Sequence, residues 1–416
     1  MYILAAGRLA FGLREFEKLT FGKKIKTVRH KARPSRVIRS RKMDKAAASP
    51  VFRRSPFLVS YWLGNGLVFE NFAARRQITA DPITSVILDF FHTGRSLDDF
   101  CSHFKEYDLS SLRRSVNLLV KHSMLEKVCE KRNLAAEMHQ AWGQWNPVAS
   151  YFHFSTKDAA YEVGAEEGYT VLQKLARSYP KPSSVKRYPS AKKVKLDWPA
   201  AGSEFSRVLL SRRTWRKFSK QPVELATLGT LLGMTWGVHG WVKVPRVGSL
   251  AIRTSPSGGA LHPIEAYIFA RNVRGLRPGL YHYDGAAHRL ELLRPDASSR
   301  QIIKCLAGQW WFGDASFVVF MTAVFARTQW KYDYPRAYRA VLMEAGHLCQ
   351  TFCLTATWLG LAPFCTIAFK DSLIERTLGV DGISESVLYA AGAGNRPSEE
   401  TQAHLGTMGA PVSWRR

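Results

Sequence analysis

Apolar and polar positions divide the chain into three stretches of different period. From 57 onward the apolar residues come in short groups, Phe57 to Trp62 and then Leu67, Val68 and Phe69, which read as a pair of strands. Three short helices follow. Asp81 and Pro82 stand where an N-cap and a first helical residue belong, and Gly94 closes that helix. Ser96 with Asp99 three residues on opens the second, and Asp108 or Ser110 opens the third, whose Leu112, Val116, Leu119 and Val120 share one face. Residues 124–128 then read as a wing strand. This order predicts a small winged-helix-like module over 51–130. Three roles remain open for its third helix: DNA contact through Arg113, Arg114 and Lys121, a merely solvated face, or recognition of a peptide.

Residues 131–200 carry Trp142, Trp145 and Pro147, a short helical stretch around 171–176, and a Pro/Ser/Lys-rich run over 180–193. Such a run is extended and exposed, so the domain boundary is placed there. Beyond it, 224–233 has a helical pattern, 264–270 reads as a buried strand, and 278–285 is hairpin-like. Residues 317–325 form a continuous apolar run, typical of a strand buried on both faces. A helix over 336–359 is apolar almost all round, so its own domain or a second subunit must cover every side.

Composition adjusts this picture in a few places. A chain of 416 residues, 46% apolar and 12% aromatic, is globular and long enough for two or three units. The net charge of +27 suggests an anionic partner, but residues 1–50 hold 14 Lys/Arg against 3 acidic residues. Much of the charge therefore lies in one basic arm, expected to be disordered, which weakens that inference, and nucleic acid is not expected as a partner. The six cysteines form no CxxC pair and no regular framework, which favours a reduced cytoplasmic setting. Cys349 and Cys353, four apart on a predicted helix, could clip a metal, but two small core residues are the simpler reading and no metal site is expected. No apolar run is long enough for a membrane span; the longest candidate contains Glu344, His347 and Gln350.

Candidate chemistry concentrates at residues 253–263, Arg-Thr-Ser-Pro-Ser-Gly-Gly-Ala-Leu-His-Pro. Two glycines permit close backbone approach and positive φ, three hydroxyls offer hydrogen bonds, and Arg253 offers a planar fork. Upstream, residues 211–218 hold four cationic side chains and two hydroxyls, either a phosphate clamp or a solvated turn.

Taken together and in order, several motifs resemble the FMN-dependent nitroreductase superfamily, and within it the SagB-type branch that oxidises azolines. They are Arg212-Arg-Thr-Trp-Arg216, Pro256-Ser-Gly-Gly-Ala-Leu-His-Pro263, Pro278-Gly-Leu-Tyr-His-Tyr283, Lys331-Tyr332, Tyr338-Arg339, Glu344-Ala-Gly-His347 and Gly394-Asn-Arg396. The resemblance implies an α+β fold, a mixed sheet flanked by helices over 201–400. It also implies a homodimer with FMN at the subunit interface, possible partnership with a precursor peptide and a cyclodehydratase, and no metal. By the same resemblance Arg212, Arg213, Thr214, Arg216 and Arg396 grip the flavin phosphate and ribityl chain. Ser255, Pro256, Ser257 and Gly258 contact the isoalloxazine, and Thr366, Ile367 and Ala368 present backbone N–H groups to it. Lys331 and Tyr332 are the implied catalytic pair, a buried lysine beside a phenol, either of which could take a ring proton. The flavin supplies the redox chemistry. Ala368, His262 and Thr351 depart from the pattern, standing where glycine, tyrosine and asparagine are commoner. The resemblance also admits a stand-alone NAD(P)H-dependent nitro- or quinone reductase, and a non-catalytic peptide- or nucleic-acid-binding protein on the same fold.

Overall fold

A computed structural model describes residues 49–128, 134–159, 161, 165–179, 182–196 and 202–398; the basic arm, apart from its last two residues, and the tail at 401–416 lie outside them. Packing separates two units. One reaches to Gln140 and includes Ser150–Ser155; the other comprises Ala141–Ala149 and the chain from Thr156 on.

The first unit contains β1 (Val51–Arg54), β2 (Leu58–Leu63), β3 (Gly66–Asn71), β4 (Arg76–Thr79), α1 (Ile83–Phe90), β5 (Arg95–Ser96), α2 (Leu97–His103), α3 (Leu109–Lys121) and β6 (Leu125–Lys127). Its strands form two antiparallel sheets, β2-β3-β4 and β5-β1-β6. The Ser96–Asp99 capping box opens α2, and the Asp108 carboxylate accepts the Ser111 N–H at 3.0 Å to open α3. At α1 the outcome differs from the sequence expectation. Pro82 occupies the cap position with helical dihedrals (φ −55°, ψ −25°), so the turn is already wound there and no side chain caps it. Leu112, Val116 and Leu119 pack with Phe91 and Phe100 into a core where the two phenylalanine rings lie 5.1 Å apart.

The second unit takes in the end of α4 (Leu134–Trp142), the start of α5 (Val148–Ser155), and then α6 (Ala165–Ser178), α7 (Glu204–Ser211), β7 (Val223–Glu224), α8 (Leu225–Trp236), β8 (Gly240–Val244), β9 (Gly248–Ile252), β10 (Ile264–Ala270), β11 (Val273–Arg274), β12 (Gly279–Asp284) and β13 (Arg289–Pro295). It continues through α9 (Ser299–Cys305), β14 (Phe317–Val324), α10 (Phe325–Gln329), α11 (Tyr338–Trp358), β15 (Leu361–Thr366), α12 (Asp371–Leu378) and β16 (Glu385–Asn395). Six strands form one sheet in the order β13-β12-β10-β14-β16-β15, with every neighbouring pair antiparallel. The parallel pairing in this unit is the short β7–β11 pair outside that sheet.

Helices on both faces explain the unbroken apolar run of β14. Val318 and Phe320 face a cluster built with Ile302 of α9 and Ile374 and Leu378 of α12. Phe317 points to the other side, 6.3 Å from Phe352 of α11, which in turn lies 6.0 Å from Trp236 of α8. Helix α11 is not covered all round within one chain. Leu342, Met343, Gly346, His347, Gln350 and Trp358 are exposed along one side. The Trp142 and Trp145 side chains are fully buried, and both pack on Phe325 and Tyr338. Residues 182–196 are exposed throughout and contain neither helix nor strand. Among the described residues, no helix is long and apolar enough to cross a membrane.

Candidate cofactor and catalytic site

The Ser/Gly loop leaves β9 and is pinned to α11 before it enters β10. Ser255 Oγ lies 2.7 Å from Thr351 Oγ1, and Ser257 Oγ donates to Glu344 Oε2 at 2.5 Å while accepting the His262 N–H at 2.9 Å. Thr254 Oγ1 donates to the Met234 carbonyl at 2.6 Å, tying the loop to α8 as well. Both serine hydroxyls are thus engaged within the chain, and Thr254, Pro256 and Gly258 are the loop's exposed positions. Three residues in four have left-handed backbone: Gly259 (φ 69°), Ala260 (φ 55°) and His262 (φ 44°). Strain of this kind persists only where surrounding contacts fix the chain, and it concentrates at functional sites. Two of the departures from the family pattern supply such contacts. Thr351 holds Ser255, and His262 Nε2 lies 3.0 Å from the Ala251 carbonyl.

Lys331 and Tyr332 follow α10 and lie against the glycines of this loop. A Cβ at Gly259 would stand 2.9 Å from Tyr332 Oη and 3.0 Å from Lys331 Nζ. The Tyr332 N–H donates to the Thr328 carbonyl at 3.0 Å, and its own carbonyl accepts Trp145 Nε1–H at 2.9 Å. Tyr332 is half-buried and Lys331 exposed, so the burial expected of the lysine is not found in a single chain. The reason is local: Lys331 lies in a turn between α10 and α11, outside any helix or strand.

Behind the loop lies a cavity of about 560 Å³, lined in part by Arg253, His262, Glu265, His282, Arg327 and Trp330. Glu265 pairs with Arg327 and lies 3.0 Å from His282 Nε2; His282 Nδ1 lies 3.0 Å from Glu291. The hydrogen bond to Glu265 is the main reason the His282 pKa is raised to about 9. Burial pushes Glu344 up to about 7, against the opposing hydrogen bond from Ser257 and the charges of Arg253 and Arg327. Arg253 Nε is buried with no hydrogen-bond partner among the described residues, and burial holds its guanidinium below the ordinary arginine value. Arg253 therefore belongs to this cavity and not to the arginine group described next. Sequence reading did not single out Glu265, His282 or Arg327, because only the pairing of β10 with β12 and the turn into α10 bring them together.

The arginines gather elsewhere on the unit. Arg212 caps the end of α7, and Arg213 Nη1 donates to its carbonyl at 2.7 Å. Trp215 is buried, its N–H bound to the Pro363 carbonyl of β15, and the guanidinium carbon of Arg396 stands 5.5 Å from its ring centroid. Arg396 also donates to the carbonyls of Leu361 and Thr357, both at 3.1 Å. Burial, and then the adjacent Arg212 charge, lower the Arg213 pKa, which is the environment an anion would relieve. Thr214 and Arg216 are half-buried beside these residues. Next to β15, Ile367 is exposed, while Ala368 is buried with its N–H donated to Thr366 Oγ1 at 3.0 Å and its carbonyl bound by Gln309. Along α11, about 20 Å of helix separates Glu344, beneath the loop, from Thr357, beneath Arg396. The candidate residues thus form two groups on one chain.

The Nitroreductase family model matches residues 209–395. A Methanocaldococcus jannaschii protein named as a nitroreductase, MJ1384, is 30% identical over 173 residues, 42% of this chain and 83% of that protein. The trifolitoxin-processing protein TfxB of Rhizobium leguminosarum bv. trifolii is 31% identical over 153 residues, 36% of this chain and 41% of TfxB. The microcin B17-processing protein McbC of Escherichia coli is 31% identical over 143 residues, 33% of this chain and 52% of McbC. The chain accordingly spans about half or less of the two processing proteins. With the strand order, the loop pinned to α11 and a relative aligned over most of its length, the chain belongs to the nitroreductase family.

Proposed function

We propose that this chain is an FMN-dependent dehydrogenase of the SagB type that oxidises azoline rings in a ribosomally made peptide to azoles. The observation that carries the reading is the packing of Lys331 and Tyr332 against Gly259 of the Ser/Gly loop, a proton-transfer pair beside a strained, glycine-lined ledge. Two of the relatives, TfxB and McbC, are named for processing trifolitoxin and microcin B17, and on this reading the substrate here is likewise a precursor that is processed, a peptide.

The residues present fit the cofactor. Arg212, Arg213, Arg216 and Arg396 are a donor set suited to a phosphate, and planar guanidinium forks bind such oxygens in pairs. The orphaned Arg253 Nε and the exposed backbone at Pro256 and Gly258 lie at the other group. The separation of the two groups along α11 favours a homodimer in which the arginines of one copy face the loop of the other. The exposed Leu342, Met343 and Trp358 of α11 and Phe205, Leu209 and Leu210 of α7 supply an apolar surface for that contact.

When bound, FMN would accept a hydride from the azoline ring. Lys331 or Tyr332 takes the accompanying ring proton, so the ring loses two hydrogens and becomes aromatic. Trp145 fixes the Tyr332 backbone, and Glu344, Thr351 and Thr254 fix the loop, so the chain contributes orientation and a base. The first unit is assigned to recognition of the precursor peptide on a winged-helix-like module, and a cyclodehydratase that makes the azoline is the expected neighbour in a cytoplasmic assembly. The name of MJ1384 favours a second reading, a nitroreductase using NAD(P)H.

Anaerobic mixing separates the two readings. The purified protein should be yellow, and an azoline-containing peptide should bleach it while the peptide loses the mass of two hydrogens. Bleaching by NADPH alone, with no change in peptide mass, supports the reductase. A colourless protein that cannot be reconstituted with FMN refutes both.

A further inference from the structure

Cys349 and Cys353 lie on successive turns of α11, and the fold brings Cys365 of β15 to them. Their three Sγ atoms lie within 4.8 Å of one another. Spacing revealed the first two, but the third is visible only once β15 packs beside α11. Three thiolates around a zinc-sized ion at Zn–S distances of about 2.3 Å stand about 4 Å apart, so small side-chain rotations bring these sulfurs into range. Among the described residues no fourth His, Cys, Asp or Glu joins the group. Cys349 and Cys353 are buried, and Cys365 is half-buried.

The Tyr389 hydroxyl donates to Cys365 Sγ at 3.7 Å, so a polar group already marks the sulfur of the strand. Soft thiolates select zinc-like and copper-like ions over hard cations such as magnesium.

We propose that Cys349, Cys353 and Cys365 form a binding site for one divalent thiophilic cation of the zinc class, clamping α11 to β15 beside the arginine group. Because the arginine group and Thr366 adjoin the same strand, such a clamp would also hold the candidate cofactor residues in place.

The test is titration of the full-length, reduced protein with Cd(II), followed by sulfur-to-metal charge-transfer absorbance and competed with Zn(II). Saturation at one ion per chain is expected, with Cys353→Ser and Cys365→Ser each abolishing the endpoint and Cys305→Ser leaving it intact. Should the Cys353 variant not fold, alkylation of the wild-type protein carries the same information, since Zn(II) should protect Cys365 from modification. An endpoint that persists in a folded Cys365→Ser variant, an unprotected Cys365, or a disulfide joining two of the three cysteines in the purified protein would each overturn the proposal.

Discussion

At Gly259 an added Cβ would press on the ends of Lys331 and Tyr332, and the backbone there has a φ that side-chain-bearing residues rarely adopt. Gly259→Ala is therefore expected to cost about 1–3 kcal/mol of stability through backbone strain. Displacement of the Lys-Tyr pair should lower peptide turnover by about 100-fold while flavin stays bound; steady-state rates and the flavin-to-protein ratio check this. Glu344 gives a prediction in pH. Its carboxyl is raised from 4.5 to about 7 by burial, so the folded protein binds a proton that the unfolded chain has released across that interval. Stability attributable to this group is present below 4.5 and is lost as pH rises through 7. In denaturant melts across that window, Glu344→Gln should flatten the decline; an unchanged slope would show that Glu344 is not its source.

Among the elements, strands and helices were legible where one period ran uninterrupted. β10 begins and ends at the predicted residues, and β14 ends one residue early, because their apolar runs admit only a strand covered on both faces. The capping box at Ser96 was equally readable, since both its partners are local. The cap at Asp81 was misplaced because dipeptide preference does not reveal that Pro82 is already helical. In the candidate site, the Ser/Gly loop and the Lys-Tyr pair could be named from sequence, yet not their contact. That contact depends on α10 turning back toward the loop, and on Trp145 reaching from far upstream to the Tyr332 carbonyl. Trp145→Phe keeps the packing on Phe325 and Tyr338 but removes this hydrogen bond. It should cost about 1 kcal/mol and reduce kcat several-fold with KM little changed. A normal kcat in a correctly folded variant would remove Trp145 from the positioning role.

For the whole molecule, the periodicity of α11 indicated a helix without a wet face, whereas one chain leaves Leu342, Met343 and Trp358 in solvent beside the apolar residues of α7. A sequence reports how much apolar surface must be covered, but not which molecule covers it. On the homodimer reading, Met343→Glu buries a charge in the interface and should shift sedimentation toward monomer with loss of bound flavin. A dimer with full flavin content would place the interface elsewhere. The central claim joins both groups of residues in one reaction, peptide azoline oxidation with Lys331 and Tyr332 moving the proton. It is tested most directly by mass spectrometry of an azoline peptide incubated with the flavin-loaded Lys331→Ala/Tyr332→Phe double variant. The account predicts full flavin content and a peptide of unchanged mass, where the wild type removes two hydrogens. Loss of two hydrogens at the wild-type rate would contradict it.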